Sequence, residues 1–470
     1  MLVTIHDTEL KEGILQGIIR AKELGRPVLV SEVSKVGAMD PLLFFASGKE
    51  EFLGERFFWK SPGEEITIAG LGIAAQLSVD SDNGRFTIIN KQWDRFIKDS
   101  IVMNSYSSEA IGPLMFGGFA FDPQKPRTAL WSKYQDALFH IPRFMVSVLK
   151  GDVYLTTNIM CTKYDGISLF TKVSSEREAL LNKAIKGSEG EKSSLVRVEE
   201  IGAAEWKQTV KNLVEDLNNG GPLKKVVLAR ELRLYFDGVI DSVKILGKLK
   251  EQQKTSFVFS FESAGDSFIG ASPERLVKKA GMKVQSACLA GSIPRGGTDV
   301  EDKKLGDLLL SDEKNLSEHQ YVVDMIREAL EETCESVFIP EKPQLMKIRD
   351  IQHLYTPAEG IAKEKTSLLQ LVDRLHPTPA LGGLPKELAV EKIREMENLD
   401  RGLYAAPVGW LDYSGNGEFA VAIRSGLIQG NEASLFAGCG VVANSDADSE
   451  YLETGLKFRP MLSALGGVQE

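Results

Sequence analysis

Short apolar, β-branched runs parted by turn residues restrict the fold of this chain more than any other feature. RPVLVSEV (26–33), ERFFWK (55–60), RFMVSVL (143–149) and DVYLTT (152–157) fill its first part. PLKKVVLARELRL (222–234), SFVFSFES (256–263), SFIGAS (267–272), YAAPVGWLDY (404–413), EFAVAIRSGLI (418–428) and SLFAGCGVV (434–442) follow. Runs of this kind read as strands. The links YSGNGE and QGNEA have the composition of hairpin turns, so neighbouring strands are expected to pair antiparallel. Helices are also written in. Trp206, Val210, Leu213, Val214 and Leu217 fall on one stripe at helical spacing. Val322, Val323, Ile326 and Leu330 do the same within NLSEHQYVVDMIREALEET (315–333). The fold class that follows is mixed α/β (α+β), with antiparallel sheets and helices.

The 470 residues suit one large domain or two to three ordinary ones. The one break in composition is KGSEGEKSS (186–194), charged and free of apolar residues, which reads as an exposed linker. No apolar run is long enough to span a bilayer, and MLVTIHDTELKEGI lacks the basic and apolar regions of a signal peptide. Cys161, Cys288, Cys334 and Cys439 lie far apart and form no CxxC pair, which points to a reducing, cytoplasmic setting and against a disulfide framework or zinc site. A net charge of −10 argues against nucleic acid as a partner, and nothing calls for a membrane. It also means that an anionic substrate needs a local source of positive charge.

Six places offer chemistry. At the mouth of PLKKVVLARELRL stand Lys224 and Lys225. Alternation does not choose between them, and a lysine at a strand end ordinarily snorkels to solvent. A partly buried one can instead act as a base. In GASPERLV, Glu274 follows Ser-Pro at a strand end, where a solvated turn acid is the ordinary reading. Glu318, by itself an ordinary helix-surface acid, lies on the 315–333 helix. In ADSEYLETGLKF, Glu450 and Glu453 share a helix face. Two helices that each offer carboxylates can hold a hard cation such as Mg²⁺. In FAGCGVV, Gly438 and Gly440 flank a cysteine in a strand–turn, either a tight turn or an anion cradle. Arg424 sits in the otherwise apolar FAVAIRSG, and a buried arginine calls for an anion. Together these suit a small polyanionic substrate.

GASPERLV, LAGSIPRG, KNLSEH, HLYTPAEG, HPTPALGG, RGLYAAPVGW, AIRSG, FAGCGVV and ETGLKFRPML occur in that order. As a set they closely resemble the chorismate-utilising enzymes: anthranilate, aminodeoxychorismate, salicylate and isochorismate synthases. RFFWKSPGEE (56–65) and FGGFAFDP (116–123) match more loosely and look most like isochorismate synthases. The resemblance implies a single large fold of two packed antiparallel sheets with helices outside. Residues 1–195 form its loosely matching N-terminal part, and 196–470 its catalytic, chorismate-binding region.

The resemblance also sorts the chemistry. Aminating relatives have glutamine where this chain has Lys225, whereas isochorismate and salicylate synthases have lysine there, as the base that activates water. Aminodeoxychorismate synthases have a nucleophilic lysine in PIKGT, where this chain has Ala290. Aminating and salicylate-forming relatives tend to place threonine at Ala380. Tyr404 is shared with salicylate synthases and does not discriminate. An isochorismate synthase is therefore expected, with a salicylate synthase as the alternative and a non-catalytic chorismate-binding protein as a remote one. No glutaminase subunit is expected. The resemblance implies Lys225 as general base and Glu274 as general acid. It places Mg²⁺ on Glu318 and Glu453, with Glu450 direct or through water, and makes that ion the source of positive charge. Arg424, Tyr404, Gly438 and Gly440 would hold the enolpyruvyl carboxylate, with His353 and Ala380 lining the site. Asn315 stands where some relatives have an acid and is left out of the metal set.

Overall fold

The computed structural model describes residues 8–81, 83–186 and 193–467. Most of the 186–194 segment lies outside the described residues, as do the first residues of the N-terminal stretch. Among those described are twenty-one strands and eleven helices, the strands joined in one hydrogen-bonded network. One described pairing, Val28–Val36 with Ile101–Met103, is parallel; the rest are antiparallel. Both expected hairpins form: Pro407–Asp412 pairs with Gly417–Val421 across YSGNGE, and Ser425–Gln429 with Glu432–Val441 across QGNEA.

Alternation along the strands creates two cores. In Phe257–Ser263, Phe257, Phe259 and Phe261 enter the larger core, while Val258 enters the smaller. In Arg56–Lys60, Phe57 and Trp59 face one way and Phe58 the other. That is the period-two geometry of a pleated strand buried on both faces. The network folds over so that strands without hydrogen bonds to each other meet face to face. Phe57 stacks on Phe116 at 4.4 Å, and Phe116 meets Phe261 edge-on at 5.8 Å. Each such aromatic pair contributes about 1 kcal/mol beyond its buried area. The smaller core lies under helices that include Thr8–Leu24, Pro41–Ser47 and Ser242–Gln252. Strands from both sides of the 186–194 segment share the network: Arg56–Lys60 pairs with Phe257–Ser263, and Leu114–Phe119 with Pro407–Asp412.

One corner of the network positions the site. Strand Asp266–Ser272 passes into Arg275–Ala280 through Pro273 and Glu274. Beside it, Gly417–Val421 passes into Ser425–Gln429 through Arg424. The run EFAVAIRSGLI is therefore two strands, and Arg424 occupies the break between them rather than a strand interior. Its φ of +52° falls in the left-handed region, which costs a non-glycine residue on the order of 1 kcal/mol. The two breaks are stitched together: the Val421 N–H donates to the Glu274 carbonyl at 3.0 Å, and the Ala271 N–H to the Arg424 carbonyl at 3.1 Å. Among the described residues no helix is long and apolar enough to cross a membrane.

Candidate active site

The two lysines of the opening strand part company at once. Lys224 is exposed, with its Nζ near the Gly221 carbonyl at 3.2 Å. Lys225, the first residue of strand Lys225–Phe236, is 4% exposed. It is walled in by Gly383–Leu384, which pairs with Lys225 and Val226, and by helix Glu313–Thr333, whose Glu318 meets its Nζ at 2.9 Å. The helix is anchored there by its N-cap, Asp312, which accepts from both the backbone and side-chain amides of Asn315. Asn315 is thereby occupied as a donor at the rim of the site.

Lys225 and Glu318 open on a cavity of about 300 Å³. The other residues assigned to the site by the resemblance line it: Glu274, Glu450, Glu453, His353, Ala380, Tyr404, Arg424, Gly438 and Gly440. The two glycines lie inside strand Glu432–Val441, opposite Ala229 and Val227, not at a turn. The strand continues because its partner pairs with it as far as Val441. What the glycines supply is room. A Cβ at Gly440 would stand 2.5 Å from Lys225 Cε and 3.2 Å from Glu318 Oε1, and one at Gly438 would stand 3.3 Å from the Tyr404 hydroxyl.

Electrostatics separates the acids. Burial lifts the Glu274 carboxyl to about 8 although Arg424, Lys225 and Lys457 pull the other way. It is a protonated donor at neutral pH. Burial, followed by the nearby charge of Glu453, raises Glu450, which accepts from Ser445 Oγ at 2.8 Å. Burial acts on Glu453 too, but Lys457 and Arg424 outweigh it and hold that carboxyl low. Burial followed by the Arg424 charge takes His353 down to about 3, so its ring is neutral. Its Nδ1 faces Ser292 Oγ at 3.0 Å and the Gly291 carbonyl at 3.2 Å, while Nε2 is buried without a partner among the described residues. A neutral ring that donates from Nδ1 to that carbonyl leaves Nε2 as an acceptor for a ligand hydroxyl. Burial raises Tyr404 and lowers Arg424, and Arg424 stays cationic at neutral pH.

Among the described residues no group of three or more His, Cys, Asp or Glu is gathered as a metal cluster. Glu318 is held by Lys225, Glu453 by Lys457 at 2.6 Å, and Glu450 by Ser445. The donors still suit a hard cation. All three are carboxylates on one cavity wall, and the mutual repulsion of Glu450 and Glu453 is the kind that a divalent ion relieves.

Sequence reasoning missed part of the local positive charge. Besides Lys225 and Arg424, the cations Lys314, Arg401 and Lys457 line the cavity, so an anion is met by side chains whether or not a metal is bound. Lys457 carried a readable signal, four residues beyond Glu453 on the same helix face. It also donates to the Gly438 carbonyl at 2.8 Å. Arg401 pairs with Glu397 at 2.7 Å and donates to the Val227 carbonyl at 2.7 Å, which fixes one wall.

A family model described as "Chorismate binding enzyme" matches residues 15–466. The isochorismate synthase MenF of Bacillus subtilis (strain 168) is 42% identical over 482 aligned positions, covering 99% of this chain and 99% of the relative. The salicylate biosynthesis isochorismate synthase of Pseudomonas aeruginosa is 35% identical, covering 97% and 94%. The solved structure of MenF, the menaquinone-specific isochorismate synthase of Escherichia coli, shares the fold with a TM-score of 0.78 at 22% identity, covering 97% of this chain and 100% of that one. The chain belongs to the chorismate-binding enzyme family.

Proposed function

We propose that this chain is an isochorismate synthase, an isomerase that converts chorismate to isochorismate. The observation that carries the reading is the placement of Lys225 and of Glu274, whose carboxyl burial pushes up to about 8, on one cavity that also holds Arg424. The full-length likeness to isochorismate synthases supports it. Water must add at C2 of the ring while the 4-hydroxyl leaves along the conjugated path. In its neutral amine form, released from the ion pair with Glu318, Lys225 takes a proton from the attacking water, and Glu274 gives one to the departing oxygen. One water enters, one leaves, and no electrons are exchanged. Burial of Glu274 supports its part as the acid, because it supplies the proton at neutral pH.

Arg424 is the clamp for the enolpyruvyl carboxylate, with Tyr404 and the backbone of Gly438 and Gly440 beside it. His353 Nε2 accepts a hydrogen bond from a substrate hydroxyl. Glu318, Glu453 and Glu450 are the residues that would hold Mg²⁺ at the ring carboxylate. When bound, that ion neutralises the carboxylate and polarises the ring. A cation on Glu318 competes with Lys225 for the same carboxylate, so metal and base are read here as linked through Glu318.

Salicylate synthesis, which adds loss of pyruvate, is the second reading. Ala380 on the cavity wall speaks against it, since a methyl offers no hydrogen bond to hold the enolpyruvyl arm over the ring. The enzyme is read as cytoplasmic from its four free, buried cysteines, and as working without an ammonia-supplying subunit because Lys225 fills the amination position. Its product can feed menaquinone synthesis, for which the Escherichia coli relative is specific, or siderophore synthesis. The test is incubation with chorismate and Mg²⁺, with and without ammonium, and chromatography of the products. Isochorismate alone is expected. Salicylate with pyruvate would favour the second reading, and anthranilate or aminodeoxychorismate would overturn both.

A further inference from the structure

Strand Lys225–Phe236 changes neighbours along one edge. Gly383–Leu384 pairs at Lys225 and Val226, and Leu195–Ile201 pairs from Glu231 onward, which leaves residues 227–230 without a strand on that side. Buried backbone groups at such a gap need other partners. Two of them find an ion pair. The Val227 carbonyl accepts from Arg401 Nη2 at 2.7 Å, and the Ala229 N–H donates to Glu397 Oε2 at 2.8 Å. Arg401 and Glu397 are joined twice, Nε to Oε1 and Nη2 to Oε2, each at 2.7 Å. One side chain supplies the donor, and the other the acceptor, that a neighbouring strand would have supplied.

The guanidinium reaches further. Its Nη1 donates to the Leu381 carbonyl at 3.1 Å, next to Ala380, and the adjoining Gly382 carbonyl accepts from the Val227 N–H at 2.9 Å. The Arg401 carbonyl accepts from the Tyr404 N–H at 2.8 Å. Phe121 covers the guanidinium, 4.3 Å from its ring centre. Arg401 thus ties together the strand that begins at Lys225, the segment that holds Ala380 and the turn that carries Tyr404. Both members of the pair are buried. A buried ion pair adds little stability that apolar side chains of similar volume could not, so this one is better explained by what it holds in register. Arg56 and Glu262 form a comparable pair, buried and doubly bonded, outside the lining of the catalytic cavity.

We propose that the Arg401–Glu397 pair positions the base of the reaction. It fixes the carbonyl of Val227, two residues beyond Lys225 on the same side of the pleat, and the backbone beside Ala380. It thereby sets where Lys225 Nζ stands against the substrate ring. Arg401 is a positioning residue, not a reacting one. The inference rests on the reading of Lys225 as the base for water addition. A displacement of about 1 Å at such a group is enough to cost about 10²-fold in rate.

Steady-state kinetics with chorismate and Mg²⁺, run in H₂O and in D₂O, tests this. Arg401→Ala should lower kcat about 10²-fold. Arg401→Lys, which can reach one of the two carbonyls, should lower it about tenfold, and Glu397→Gln, which keeps an acceptor for the Ala229 N–H, by less. KM should stay within about threefold. The solvent isotope effect on kcat should rise in Arg401→Lys, because a misplaced base slows proton transfer from water, whereas a smaller folded fraction leaves that ratio unchanged. Millimolar guanidinium should restore part of the Arg401→Ala activity, since the vacated slot opens on the cavity. Arg56→Lys is the control for destabilisation. It should lower the melting temperature comparably while kcat and the isotope effect keep their parent values. Should Arg401→Ala fail to fold, Arg401→Lys and Glu397→Gln decide. A folded Arg401→Lys with parent kcat and isotope effect would overturn the proposal, as would a raised KM with kcat unchanged. A parent enzyme that forms no isochorismate would instead overturn the proposed function.

Discussion

Lys225 and Arg230 are two buried cations on one strand, and their surroundings differ in a way that separates two uses of buried charge. Lys225 meets Glu318 at 2.9 Å in a cavity walled by polar groups. Arg230 has aromatic rings over its guanidinium and an apolar cavity beside it. The lysine is held by a counter-ion for which a ligand can compete, whereas the guanidinium is held by aromatic faces and the Thr454 hydroxyl, with its Nη1 sealed from solvent. The contrast also explains why the strand looks uniformly apolar in sequence. Its charges are spaced along it, each facing a different neighbour that the chain supplies from far away.

The most severe way to break this comparison is Lys225→Gln. Isochorismate formation should fall by a factor of about 10² to 10⁴, the usual worth of a general base, with the fold intact. Lys224→Gln should stay within about twofold, since that side chain makes no contact with the cavity. A chromatographic product assay on both variants decides, and a larger loss in Lys224→Gln would remove Lys225 from the role of base.

Glu318→Ala sharpens the contrast between paired and unpaired charge. It leaves Lys225 buried without a partner, which should cost about 3 kcal/mol in urea unfolding. Removing the lysine as well, in Lys225→Met/Glu318→Ala, should recover most of that. Arg230→Met leaves only the Thr454 hydroxyl without its donor and should cost less than Glu318→Ala. Glu318→Ala and Glu453→Ala should also abolish Mg²⁺-dependent turnover, and full activity after exhaustive treatment with EDTA would dismiss the metal.

Glu274 gives a smaller, graded effect. Its proton is present below about 8, so turnover should decline as pH rises through that value, visible as the alkaline limb of a kcat/KM profile. The same shift acts on stability. The folded-state value lies above the unfolded one, so the burial penalty is absent at acid pH. Stability then falls by about 1.4 kcal/mol per unit between the ordinary carboxylate range and about 8. Glu274→Gln is spared this, and its advantage in melting temperature over the parent enzyme should widen across that window.

Ala380→Thr has the mildest expected outcome. A hydroxyl and a little bulk beside the substrate are worth about 1 kcal/mol, under tenfold in rate. Isochorismate should remain the main product, with more pyruvate released per turnover, measured with lactate dehydrogenase and NADH. One pyruvate per chorismate from the unaltered enzyme would make this chain a salicylate synthase.

Much of this arrangement was legible in the residues because periodicity is local. The stripe Trp206, Val210 and Leu213 is buried on helix Ala203–Asn218, and Val322, Val323, Ile326 and Leu330 are buried on helix Glu313–Thr333. The ordered motifs also pointed to residues that share one cavity. What stayed hidden was set by contacts distant in sequence. Alternation could not choose Lys225 over Lys224, because the choice depends on Glu318 and on the strand at Gly383. The break at Arg424 was invisible because its cause is the neighbouring break at Glu274. Arg230 went unremarked, since nothing in VVLARELRL says that the strand beside it stops short.

The clearance at Gly440 bears on how this enzyme can change over generations. With Lys225 in place, a methyl at that position would stand 2.5 Å from Lys225 Cε and 3.2 Å from Glu318 Oε1, so the end of the lysine would have to leave its place beside Glu318. Alanine at 440 is therefore barred only conditionally. Once position 225 holds a shorter side chain, the space is vacated and the bar lifts. The two sites are epistatic in a fixed order. A lineage can shorten the lysine first and fill the gap later, but not the reverse, and after the gap is filled a return to lysine is closed.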